Sequence, residues 1–85
     1  MIRKTQVESF KETLKTISDR QKSVLGALTV AGPSTNRELA KLLNWDINRI
    51  TGRITELVNL GLVTTDGTKK DLETNRTVTL WKVLK

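Results

Sequence analysis

The sequence predicts an α+β fold, mainly helical with one small β-hairpin at its C-terminal end, and three observations predict it. Capping patterns of the form S/T-x-x-E/Q recur in the first half, among them Thr5-Gln-Val-Glu8, Ser18-Asp-Arg-Gln21 and Thr35-Asn-Arg-Glu38. In each, the hydroxyl accepts a free amide of the first turn and the later side chain reaches back to the cap. Apolar residues then recur at helical spacing as far as Leu60, whereas β-branched runs dominate beyond Gly61.

The elements follow in order. Val7, Phe10, Leu14 and Ile17 fall on one stripe of a helix spanning about residues 5 to 16. A second helix carries Val24, Leu25 and Leu28 inward and ends at Gly32-Pro33. The third is short, with Leu39, Ala40 and Leu43 facing in, and stops near Asn44, a residue that tolerates a left-handed cap. Asp46 then caps a fourth helix whose stripe of Ile47, Ile50, Ile54 and Leu57 runs until Leu60-Gly61. Residues 62–65 and 77–84 read as the two strands of an antiparallel hairpin, joined by a long polar tip that contains Asp66-Gly67. The division expected is a helix at 1–17, for packing or dimerisation, and a domain at 18–85. Eighty-five residues suffice for one small core.

Composition narrows the chemistry. The chain has no cysteine and no histidine, which excludes disulfides, thiolate or imidazole metal sites and His- or Cys-based catalysis. Its carboxylates are scattered, and its glycines have no phosphate-cradling spacing. We therefore expect no enzymatic activity, no metal and no cofactor. Fifteen basic residues against nine acidic ones give a net charge of +6, a field that attracts polyanions. No apolar run is long enough to span a bilayer, and the N-terminus lacks the apolar core of a signal peptide, so a cytoplasmic protein with no membrane partner is expected.

A short helix, a turn at Asn44-Trp45-Asp46 and a longer helix have helix-turn-helix spacing, and the hairpin after them would form a wing. The expected fold is thus a winged helix-turn-helix: a three-helix core, a wing and an extra N-terminal helix. From Ser18 to Leu84 the chain resembles winged-helix transcription regulators, both the MarR-like group and small phage or prophage proteins. The resemblance rests on Arg20-Gln-Lys-Ser-Val-Leu25, Thr35-Asn-Arg-Glu-Leu-Ala-Lys-Leu-Leu43, and Ile50-Thr-Gly-Arg-Ile-Thr-Glu-Leu57 running into Leu60-Gly-Leu-Val63. It implies a transcriptional regulator that binds double-stranded DNA. The alternative on the same fold is an adaptor that docks another protein through the stripe Val7, Phe10, Leu14 and Ile17, a stripe equally suited to homodimerisation or to packing on the chain's own last strand.

Candidate DNA-binding residues follow from the fourth helix, whose outer face would enter the major groove. Asn48, Arg49, Thr51, Gly52, Arg53 and Thr55 lie on or beside that face. Asparagine and arginine have the donor geometry to read adenine and guanine edges. Gly52 weakens an exposed helix by about 1 kcal/mol against alanine. It marks a close approach of a strand, tight packing on another helix, or a tolerated defect. Thr35 and Arg37 open the third helix, where free amides suit a phosphate and also form a plain capping box. Lys69, Lys70 and Arg76 lie in the wing, offset by Asp66, Asp71 and Glu73, so they read either as phosphate contacts or as locally paired loop charges. Trp45 and Trp81 are expected in the core, with base stacking as the alternative.

Overall fold

The computed structural model describes residues 10–84; the capping pair Thr5 and Glu8 and the stripe residue Val7 lie outside the described residues. The order is α1 (described over residues 10–14), α2 (Asp19–Ala31), α3 (Asn36–Leu43), α4 (Ile47–Asn59), β1 (Val63–Asp71) and β2 (Arg76–Val83). This is the α+β arrangement of helices followed by an antiparallel hairpin that the sequence predicts.

Local chemistry starts and stops the helices. Ser18 accepts the Gln21 amide at 3.2 Å while Gln21 Oε1 accepts the Ser18 amide at 2.9 Å. Thr35 and Glu38 make the same reciprocal pair at 3.2 and 2.9 Å. At the other end of α3, Asn44 takes the left-handed conformation (φ 59°, ψ 44°). The Trp45 amide then reaches the Ala40 carbonyl at 2.9 Å and the Asn44 amide reaches Lys41 at 3.3 Å. That two-bond closure is a Schellman motif. It recurs at the end of α4, where Gly61 has φ 79° and the amides of Leu62 and Gly61 donate to Leu57 and Val58, both at 3.0 Å. Asp46 caps α4 by accepting the Asn48 amide at 3.1 Å.

The core lies where α2, α3 and α4 meet the base of the hairpin. Val24, Leu28, Leu39, Ile50, Ile54, Leu57, Leu62 and Val63 are each no more than 2% exposed. Burying each leucine, isoleucine or valine is worth about 1.5–3 kcal/mol. Leu43 and Ile47, expected to face fully inward, are half-buried at the edge of this cluster, as are Trp45 and Trp81. The described part of the N-terminal stripe joins the same core: Ile17 is buried, and Phe10 and Leu14 pack on it.

The hairpin departs from expectation. Pairing continues through Thr68↔Thr79 to Asp71↔Arg76, so the polar stretch expected to be a long tip is mostly strand. Asp66-Gly67 makes no turn. It forms a bulge between Thr65↔Trp81 and Thr68↔Thr79, with Gly67 at φ 80° absorbing the extra residue. The reversal falls instead at residues 72–75, where Asp71 Oδ1 accepts the Glu73 amide at 2.9 Å and Asn75 adopts φ 62°. A further rung has no counterpart in the sequence reading: Ser34 pairs with Trp81 through bonds of 3.0 and 2.8 Å, tying the α2–α3 connection to β2. A single paired residue is too short to show a strand period.

Candidate nucleic-acid interface

The inward residues of α4 leave Asn48, Arg49, Thr51, Thr55 and Asn59 exposed on its other faces, with Gly52 half-exposed among them. Two of the threonines are engaged with the helix itself: Thr51 Oγ1 donates to the Ile47 carbonyl at 3.1 Å and Thr55 Oγ1 to that of Thr51 at 3.0 Å. A methyl group built at Gly52 would meet nothing within 4 Å. Tight packing against another helix therefore does not explain this glycine.

The basic residues sort by their partners. Arg53 is committed: its Nε and Nη2 each donate to Glu56 at 2.8 Å, and Glu56 also accepts Gln21 Nε2 at 2.8 Å, which fastens α4 to the start of α2. Arg37 donates to Asp71 at 2.8 Å and approaches Glu73 at 3.6 Å. Lys41 also pairs with Glu73, and Lys69 pairs with Glu38. Together these contacts lash the far half of the hairpin to α3. By contrast Arg49, Lys70 and Arg76 have no carboxylate partner among the described residues. Arg49 instead lies over the Trp45 ring, 4.6 Å from its centroid.

Hydrogen bonding shifts the ionisation of the paired groups. Arg37, followed by the Glu73 amide, holds the Asp71 carboxyl below the usual carboxylate range, and Asp71 in turn raises the Arg37 pKa. Lys69 and then the Thr35 amide lower Glu38. Arg53 and then Gln21 lower Glu56.

Of the residues singled out in the sequence, Asn48, Arg49, Thr51, Gly52 and Thr55 lie together along α4, and Lys70 and Arg76 stand exposed on the paired strands. Thr35 is buried, 4% exposed, with its hydroxyl used in the cap. Arg37, Arg53 and Lys69 are held in the ion pairs just described. A cleft of about 440 Å³ separates the start of α3 from β2, bordered by Asn36, Arg37, Ile47, Asp71, Arg76 and Trp81. Asn36, which sequence reasoning passed over, bridges the two helices of the turn by donating to Thr51 Oγ1 at 3.3 Å. Fifteen residues separate the pair, so no local spacing announces it. Among the described residues no three acidic side chains are grouped to hold a metal, and no helix is long and apolar enough to cross a membrane.

A short helix and a longer one joined by a three-residue turn, set on a third helix and followed by a hairpin, define a winged helix-turn-helix domain. The HVO_A0114 family model matches residues 16–78, and the chain belongs to that family. No curated protein matches it. Among solved structures it is similar to the crystal structure of the MarR family transcription regulator SP03579, with a TM-score of 0.67 and 18% identity, over 91% of this chain and 49% of that one. The chain thus spans about half the length of that regulator.

Proposed function

We propose that this chain is a DNA-binding transcriptional regulator that places α4 in the major groove of double-stranded DNA. The observation that carries the reading is the pairing pattern of the cations. Arg49, on the exposed first turn of α4, has no acidic partner among the described residues, while the neighbouring Arg53 is neutralised by Glu56. The first turn of a recognition helix is where base edges are reached. Asn48 beside Arg49 makes no side-chain bond within the described residues, which leaves an amide and a guanidinium available to adenine and guanine.

Lys70 and Arg76 act as phosphate contacts from the wing. Arg37 and Lys69 serve the interface at one remove, by setting the wing against α3. Thr35 presents the start of α3 rather than touching DNA with its own hydroxyl.

The test is duplex binding at several salt concentrations. Neutralised phosphates release counterions, so affinity should fall steeply as salt rises. Arg49→Ala should weaken a preferred duplex by about 1–3 kcal/mol if the residue reads a base. Arg76→Ala should weaken all duplexes alike and flatten the salt dependence. Salt-independent binding, or none, would overturn the reading.

A further inference from the structure

Arg49 occupies a costly position. It stands three residues after the Asp46 cap, at the end of α4 where the helix dipole disfavours a cation, and no carboxylate among the described residues pairs with it. What holds it is the Trp45 ring, 4.6 Å from the guanidinium carbon. That ring is itself fixed. The left-handed Asn44 turns the chain, the Trp45 amide donates to Ala40 at 2.9 Å, and the indole packs half-buried on the edge of the core. A cation–π contact acts through the charge and the ring face. Arg49 makes no side-chain hydrogen bond among the described residues, so its donors stay open.

We propose that Trp45 is a positioning residue for Arg49, holding the guanidinium in place with its donors free so that the pair determines base preference at one step of the DNA site. The inference rests on the groove-docking reading above and adds a specificity role for a residue that touches no base. It also accounts for a tryptophan in the turn of the helix-turn-helix, where a smaller apolar residue would cover the core edge but offer no ring face to the cation.

The experiment starts by selecting a preferred duplex from a random-sequence double-stranded library with the full chain. Affinity is then measured for that duplex, for each single-base-pair variant of it, and for an unrelated duplex of equal length. The proteins compared are the parent, Arg49→Ala, Trp45→Leu, Trp45→Phe and the double variant Trp45→Leu/Arg49→Ala, each checked for folding by its thermal transition. Arg49→Ala should relax preference at one base pair by roughly 5- to 150-fold. Trp45→Leu should relax the same base pair by roughly two- to fivefold, the worth of an exposed cation–π contact, with little change on the unrelated duplex. Trp45→Phe should retain most of the preference, and Trp45→Leu should cost nothing further once Arg49 is alanine. Two results overturn the proposal while leaving groove docking intact. One is a folded Trp45→Leu with the parent's base preference; the other is a loss spread evenly over all duplexes, as a purely structural role would give. A parent that binds no duplex overturns both.

Discussion

Gly52 offers the sharpest test of how α4 is used, because stability and binding should respond to it with opposite signs. The position lies in the middle of a 13-residue helix, and a Cβ there meets nothing within 4 Å, so alanine adds no clash. Glycine in a helix interior is about 0.8–1 kcal/mol less favourable than alanine, mainly through the backbone freedom it loses on folding. Gly52→Ala should recover about that amount. For a domain of this size it corresponds to a rise in melting temperature of about 4–8 °C. Urea or thermal denaturation followed by circular dichroism reads it directly. Gly52→Gln keeps most of the propensity gain but extends a long side chain from the exposed face, next to Arg49 and Thr55. If a DNA strand passes close to the backbone there, this variant should bind duplex DNA more weakly while melting higher than the parent. Lower stability in the alanine variant would refute the propensity argument. Parent-like DNA affinity in the glutamine variant would refute the close approach and leave Gly52 a tolerated defect.

Other outcomes follow from the same geometry. Asp71, Glu38 and Glu56 have folded-state pKa values below their ordinary ones, so the stability they contribute is fully present above the unfolded range near pH 4 and is lost as pH falls through their depressed values. Asp71→Asn should therefore be less stable than the parent at neutral pH, with the difference closing under acid, as read by melting curves from pH 7 down to 2.5. Leu57→Ala removes a side chain with no exposure and should cost about 2–5 kcal/mol, much of the net stability of a domain this small. Phe10→Asp places a charge on a half-buried residue that packs on the core. It should lower the melting temperature without changing the sedimentation coefficient, whereas a change from dimer to folded monomer would assign the stripe to an interface between copies.

What the amino-acid sequence reveals of this fold depends on the range of each interaction. The capping boxes at Ser18 and Thr35, the left-handed Asn44 and the glycine stop at Gly61 are all local, because the donor and acceptor lie within five residues of one another. So are the helical stripes, apart from Leu43 and Ile47, which sit at the core's edge where the chain turns between α3 and α4. For the same reason Asn48 and Arg49 could be placed on the outer face of α4 from their phase relative to Ile50 and Ile54. The hairpin's register could not be read this way. Asp66-Gly67 has the composition of a turn, yet cross-strand pairing carries β1 past it, since the bonds from Thr68 to Asp71 with β2 are gained only if the glycine becomes a bulge.

The candidate site divides along the same line. Residue type and helical phase by themselves determined the described elements up to Gly61 and the polar face of α4, and composition a positive net charge with no cysteine or histidine. Apart from Arg53, whose partner Glu56 lies three residues on, only the tertiary structure decided which cations are spent. The partners of Arg37 and Lys69 lie 34 and 31 residues away, and the Glu56 that binds Arg53 is held in turn by Gln21, 35 residues distant. Except for Arg53–Glu56, which meet at the i,i+3 spacing of one helix, these ion pairs join elements far apart in sequence, so no local spacing encodes them and the same count of basic residues is compatible with a charged wing or a neutralised one. The fold brings α3 against the strands, and that contact spends Glu38, Asp71 and Glu73 on Lys69, Arg37 and Lys41, so that Lys70 and Arg76 have no carboxylate partner among the described residues.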